Sequence, residues 1–386
     1  MAERYGGARC GKRMTRRAFI GTAVAGLLSA CAGTEVFTEP AVAAPTLIRQ
    51  TLVPPTSTPV PTAPPTLTAV PDPTQAAATA SPSATAAPAG VAGVRPLDSA
   101  GSRVVVARHS SMAAEGALDQ EVLLQVLDAA VAHMTGIQVP DAAWRSLFRP
   151  EERVAIKVNT IAGSDYWTRP VLVDAVVARL VSVGLAAEQI VVFDRDSGEL
   201  DRAGFQVSRD GPGARCYGTD RAYSVPTRIG SGDISFSDIL VGCDALINMP
   251  ILKTHSITGI SFALKNHYGS IDRPGALHNN IAQVLPALNA ADLIRTKTRL
   301  VVGDALAVVK SSWSSAVAGN ALVVSRDPIA SDAIGLQLWG TALEPERDLA
   351  QTSAYRQAAP WLEAAAALGL GQSSVGRIDR VDVQVG

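Results

Sequence analysis

An excess of positive charge is missing from this chain. Its 34 Lys and Arg residues face 35 Asp and Glu, so 386 residues carry a net charge of −1. No basic stripe is present to neutralise a run of phosphates, which excludes nucleic acid as a partner. Cysteine is almost absent too. Of the four, Cys10 and Cys31 fall in an N-terminal leader, leaving Cys216 and Cys243 for the folded part. A four-thiolate iron–sulfur cluster within the chain is therefore excluded. An oxidising compartment permits a disulfide between the two, although Cys243, inside the apolar run from Val241 to Ile247, reads as a small buried hydrophobe. Neither G-x-G-x-x-G nor G-x-x-x-x-G-K-[ST] occurs, which removes the dinucleotide fingerprint and the P-loop. The absence of H-E-x-x-H, C-x-x-C and G-x-S-x-G leaves no spacing that calls for a metal or a serine nucleophile. No apolar run reaches the ~20 residues needed to span a bilayer.

What is present begins with an address. Thr15-Arg16-Arg17-Ala18-Phe19-Ile20 opens a short apolar run that stops at Leu28-Ser29-Ala30-Cys31. The paired arginines look like a twin-arginine export signal, which carries proteins already folded. Leu-Ser-Ala-Cys resembles a bacterial lipobox, with lipidation at Cys31. Residues 1–31 are thus expected to be a signal that leaves the protein exported and lipid-anchored on the outer face of the cell membrane. Export in the folded state suggests a cofactor loaded inside, of unknown identity. Pro40 to Pro96 holds 13 of the 24 prolines among Thr, Ala and Ser. Such composition cannot bury a core, so residues 32–100 read as a disordered linker lifting the domain off the membrane.

From 101 to 386 the pattern is one α/β domain. Short β-branched runs at Val104–Ala107, Val154–Val158, Ile190–Phe193, Ala245–Asn248, Leu300–Val302 and Leu322–Val324 alternate with helical stretches. The helices are expected over Leu118–Met134, Pro170–Val183, Pro328–Leu338 and Ala354–Leu368. Leu118, Val122, Val126, Ala129 and His133 form the inner face of the first. Pro170 follows Arg169 at a first-turn position, and Pro328 follows Asp327, a good N-cap. Apolar strands alternating with helices predict a largely parallel sheet covered by helices on both faces. Ligands of such sheets bind beyond the carboxyl ends of the strands. That places Lys157 and Asn159, Asp194 and Arg195, Asn248 through His255, and Asp304 near a site.

The densest polar segment runs from Asn248 to Ser270, with Lys253, His255, Lys265 and His267 around Gly259. Pro250 should end a strand ladder, and Gly259 suits close approach of a ligand to the backbone. A helix capped by Ser256 or Thr258 and running to about Tyr268 would offer its free N–H groups to an anion beside Lys253 and His255. Each candidate has a plainer reading: solvated lysines, a core histidine bonded to a carbonyl, a turn-forming Asp304. Asp332, on a helix face with few charges, suits a buried pairing role. Trp167 and Arg169 suit either a carboxylate clamp or packing against the next helix.

The strings Ile156-Lys157-Val158-Asn159, Asn248-Met249-Pro250-Ile251-Leu252-Lys253-Thr254-His255, Leu264-Lys265-Asn266-His267-Tyr268-Gly269 and Asp327-Pro328-Ile329-Ala330-Ser331-Asp332-Ala333 resemble, in order and spacing, the domain of unknown function 362 family. Members are often exported by the twin-arginine route, and some carry a ferredoxin module whose cysteines this chain lacks. Asp165-Tyr166-Trp167-Thr168-Arg169-Pro170, a helix and Ile190–Phe193 are similar to a segment of nickel-pincer lactate racemases. Tyr166 and Trp167 interrupt that segment, so the likeness implies a shared fold alone.

These readings converge on a site for a small anionic ligand. Lys253, His255 and Lys265 are the expected catalytic groups, and Lys157, Asn159, Arg169, Asp194, Asn266 and Asp304 the expected ligand-binding ones, with no metal. The first expectation is an enzyme of isomerase or oxidoreductase type, in which His255 or a desolvated lysine moves a proton. The alternative is a solute- or cofactor-binding lipoprotein without catalysis, closing two lobes on its ligand and delivering it to a membrane or redox protein partner.

Overall fold

Lys157, Phe193 and Asn248 lie side by side at the carboxyl ends of three parallel strands, and that alignment locates the site. The computed structural model describes residues 102–112, 118–161, 166–310 and 316–386. The signal, Cys31 and the Pro-rich linker lie outside the described residues.

Twelve strands are present among the described residues: β1 (Arg103–His109), β2 (Val154–Lys157), β3 (Ile190–Phe193), β4 (Arg215–Cys216), β5 (Tyr223–Ile229), β6 (Gly232–Ser237), β7 (Ala245–Asn248), β8 (Ile251–His255), β9 (Gly259–Ser261), β10 (Thr298–Val309), β11 (Ala316–Ser325) and β12 (Asp379–Val385). The main sheet runs β12-β1-β11-β10-β7-β2-β3-β4, with β8 beside the far half of β10 and β9 beyond it. Pairing is parallel except where β11 lies between β1 and β10 and where β9 folds back on β8. β5 and β6 form a separate two-stranded ribbon.

Strand alternation divides the core. Val105 and Ala107 face one apolar cluster with the helices Gln120–Thr135 and Pro170–Ser182; Val104 and Val106 face the other, with the helices Ile281–Ala290, Pro328–Leu343 and Ser353–Ala367. Both faces are therefore covered, and the fold is the expected α/β, mostly parallel. Cys216 and Cys243 are free and buried in different clusters, which rules out a disulfide between them. Burial pushes their thiols up to about 12 and about 11.

The expected helices occur with modest boundary changes. Asp327 caps Pro328–Leu343 by accepting from the Ile329 and Ala330 N–H groups at 2.9 Å, and Gly136 (φ 74°) closes Gln120–Thr135. The inner stripe of that helix is Leu123, Val126, Leu127, Ala130 and Met134, about one residue round from the expected face, and His133 is exposed. Strands 300–302 and 322–324 extend into the long β10–β11 pair.

The largest departure concerns residues 251–268. No helix runs from Ser256 or Thr258 to Tyr268. Ile251–His255 and Gly259–Ser261 form an antiparallel hairpin, followed by a four-residue helix, Ala263–Asn266, and a 3-10 turn over His267–Ser270. Gly259 has φ 78°, and a Cβ there would collide with the carbonyl of Ala354. Its bareness thus serves a neighbouring helix rather than a ligand.

Candidate active site at the carboxyl edge of the sheet

Lys157, at the end of β2, is fully buried. Its Nζ meets Asp194 Oδ1 at 2.7 Å and donates to the Val158 carbonyl at 2.6 Å, with Asn266 Oδ1 at 3.3 Å. Asp194 is saturated from its other sides, accepting at Oδ2 from the Thr160 N–H (2.7 Å) and hydroxyl (2.9 Å) and at Oδ1 from the Arg195 N–H (2.8 Å). Burial lowers the Lys157 pKa, and Asp194 opposes that shift. The pair is a strut joining the ends of β2 and β3. Gly269 completes it: a Cβ there would strike Asp194 Oδ1 and lie 2.6 Å from Lys157 Nζ. The K-N-x-x-G spacing therefore lets the turn after the short helix rest on a buried ion pair.

Asn266 ties the strut to the rest of the edge. Its Nδ2 donates to the Lys157 carbonyl (3.1 Å) and to Asn248 Oδ1 (2.8 Å), while its Oδ1 accepts from Asn159 Nδ2 (3.2 Å). Asn248 in turn donates to the Ala263 carbonyl at 2.8 Å and faces His267 Nε2 at 3.3 Å. His267, completely enclosed, is held down to about 3 by burial and so is neutral. It is a structural histidine. Asp304 and Arg169 pair with each other at 2.6 Å, and Asp304 is fully buried. They clamp β10 to the start of Pro170–Ser182, while Trp167 packs against the apolar cluster. Of the six expected ligand-binding residues, Lys157, Asp194, Arg169 and Asp304 thus have protein partners, and Asn159 and Asn266 lie in the network beside the lysines.

Lys253 and His255 lie two residues apart on β8 and so share a face. Lys253 donates to Asn159 Oδ1 at 2.7 Å. Lys265 leaves the short helix with its Nζ 3.1 Å from the centroid of Tyr268, whose hydroxyl donates to the Leu277 carbonyl. The Tyr268 ring also meets His278 at 5.5 Å. Burial lowers Lys253 to about 8, with Asp194 opposing and Lys157 adding repulsion. Burial and then Lys253 lower Lys265 to about 7. His255 falls to about 4 through burial and the positive charge of Lys265, His278 and Lys253. These mutual repulsions place two lysines and two imidazoles in one neighbourhood.

The His255 tautomer follows from its contacts. Nδ1 accepts from the backbone N–H groups of Ile257 (3.2 Å) and Thr258 (3.3 Å), so the ring proton resides on Nε2. At neutral pH His255 therefore presents a hydrogen-bond donor at Nε2.

The helix N-terminus expected to hold an anion is filled by the protein itself. Asp332, from Pro328–Leu343, accepts from the Ala263 N–H at 2.6 Å and the Leu264 N–H at 2.9 Å. Burial raises its carboxyl to about 7 despite those two donors. Tyr268 and His278 received no firm role from sequence, because the ring beneath Lys265 is visible only once the 3-10 turn folds it back.

Residues 154–337 match the family described as Domain of unknown function (DUF362). No curated protein matches the chain. Among solved structures, the chain is similar to a structural-genomics protein from Thermotoga maritima (12% identity, TM-score 0.34, covering 65% of this chain and 59% of that one). It is also similar to the lactate racemase apoprotein from Thermoanaerobacterium thermosaccharolyticum (14% identity, TM-score 0.34, 59% and 55%). The chain thus spans less than two thirds of either structure. The Lys157 strut, the β8 Lys253 and His255, the Lys265–Gly269 turn and Asp332 all fall inside the span, residues 154–337, that matches the DUF362 family.

Proposed function

We propose that this protein is an exported, lipid-anchored enzyme that binds a small anionic metabolite at the carboxyl edge of its sheet and moves a proton on it, in a reaction of isomerase or oxidoreductase type. One observation supports this most directly: Lys253 on β8 and Lys265 on the short helix that follows β9 are both brought to the neutral range beside a neutral histidine. A small anion between them would be attracted by both and would relieve their mutual repulsion. Lys253, tethered to Asn159 and titrating higher, suits the standing cation that holds the ligand. Lys265, titrating near 7, suits the group that gives up and regains a proton, since catalytic efficiency peaks when the pKa lies near the working pH. His255 offers Nε2–H to an oxygen on which negative charge develops. The strut and its asparagines fix these groups without taking part in the chemistry. All described residues fall in one compact unit built on the main sheet, rather than in two lobes about a hinge.

The test uses the full chain in deuterated buffer with a panel of small carboxylates bearing a C–H next to the carboxyl group, followed by proton NMR. Wash-out of that signal is expected for one class. Lys265→Ala should slow it about 10²-fold or more, and Lys253→Ala should act mainly by raising KM. Exchange at the wild-type rate in both variants would contradict the proposal. Binding without exchange would favour the solute-capturing alternative.

A further inference from the structure

Only six of the 34 cationic side chains are lysines: Lys12, Lys157, Lys253, Lys265, Lys297 and Lys310. Arginine supplies positive charge almost everywhere else, yet three of the six lysines meet at one sheet edge. Arginine would serve for charge alone and binds carboxylates better through its planar fork. What lysine offers instead is an amine that can lose its proton and attack. Lys157 does not use this property, being saturated by Asp194, Val158 and Asn266. Lys253 is tied to Asn159. Lys265 differs from both. Its Nζ sits on the face of Tyr268, and it makes no ion pair with a carboxylate among the described residues. The Tyr268 hydroxyl is turned away to the Leu277 carbonyl, so the ring presents only its π face to the amine.

We infer that Lys265 forms a Schiff base with the carbonyl of an anionic substrate, of the 2-oxo acid class, whose carboxylate is held by Lys253. The inference rests on the site proposed above and narrows it, turning Lys265 from a proton shuttle into a covalent nucleophile. The Nζ lone pair forms the new N–C bond, the C–O bond of the carbonyl breaks, and both amine protons leave with the oxygen as water. No oxidant or reductant is needed. Three features favour the step. Lys253 disfavours a protonated neighbour, as in other amines activated beside a second cation. The Nε2–H of His255 is available to the carbonyl oxygen. Burial lowers the Lys265 pKa to about 7, which leaves much of the amine neutral at physiological pH.

The test is reductive trapping of the full chain with pyruvate and cyanoborohydride near neutral pH, with the adduct located by peptide mass mapping. Exposed Lys310 is the internal reference. Lys265 is expected to be labelled on the order of a hundredfold faster than Lys310, because an ordinary lysine is almost wholly protonated there. Lys265→Arg, which keeps the charge, should abolish the fast adduct and leave labelling of Lys310 unchanged. Labelling of Lys265 no faster than Lys310 would overturn the inference, a result the wild type alone decides. If solvent exchange of a carboxylate C–H persists in that case, the proton-transfer reading stands and only the covalent step fails. If neither exchange nor any carboxylate-induced rise in melting temperature is found, both fail.

Discussion

Two kinds of buried lysine stand at one edge of the sheet, and they answer differently to substitution. Lys157 belongs to an ion pair with Asp194 in which both side chains are at most 2% exposed. Removing one partner of such a pair leaves an uncompensated buried charge, so Asp194→Ala is expected to cost about 3–5 kcal/mol of stability, read from denaturant unfolding. Gly269→Ala should cost about 1–3 kcal/mol by the same measurement, because its Cβ would intrude on that pair. Lys253→Ala and Lys265→Ala should leave the protein at least as stable at pH 7, since each removes a charge that burial disfavours. From sequence Lys157 stood among the ligand-binding residues, and Asp194 and Asp304 looked alike, each following an apolar run at a strand end. Their partners, Lys157 and Arg169, come from 37 and 135 positions away. Spacing along the chain carries no trace of such pairings.

At the scale of elements, regular apolar strands and capped helices were legible because their signals are local. Asp327-Pro328, Arg169-Pro170 and Gly369 marked helix ends that the structure retains. Residues 251–268 were not. Ser256-Ile257-Thr258-Gly259 suits a helix cap and a hairpin turn equally, and the choice is made by distant groups. Trp361 Nε1 donates to the Thr258 carbonyl at 3.0 Å, and Trp339 Nε1 to the Thr254 hydroxyl at 2.8 Å, holding the hairpin against two C-terminal helices. Asp332 then fixes where the short helix starts. Asp332→Ala strands the buried N–H groups of Ala263 and Leu264 and should cost about 2–6 kcal/mol, with each unsatisfied donor contributing about 1–3. The same variant should displace Lys265, which that helix carries, and so depress turnover beyond what the loss of stability explains.

For the whole molecule, the buried groups give stability a particular dependence on pH. Lys253 and Lys265 have folded values of about 8 and about 7, below the ordinary 10.5. Between those limits the unfolded chain binds more protons, so stability rises with pH from about 7 to 10.5. Asp332 acts in the opposite sense on the acid side. Its folded value of about 7 exceeds the ordinary 3.8, and its contribution to stability declines as pH rises across that interval. Replacing both lysines by methionine should remove the alkaline rise, and Asp332→Asn, by removing the opposing contribution, should steepen the acid-side rise with pH that neutral His255 and His267 (about 4 and about 3, below the ordinary 6.5) produce, each measured by denaturant unfolding across the pH range. The layered α/β fold was legible because two apolar faces leave a continuous hydrophobic pattern in each strand. The mixed pairing around β11 was not, since it turns on where a long hairpin lies in the sheet.

The central claim is that Lys253 and Lys265 meet as a cationic pair able to change protonation near neutral pH and to take up an anion. NMR titration of lysine side-chain signals tests it most directly, because six lysines give a sparse spectrum. Two signals, assigned by Lys253→Arg and Lys265→Arg, are expected to titrate near 8 and 7 and to move upward when a small carboxylate is added. Titration of both in the ordinary lysine range, about 10.4, and indifferent to added anion, would contradict it.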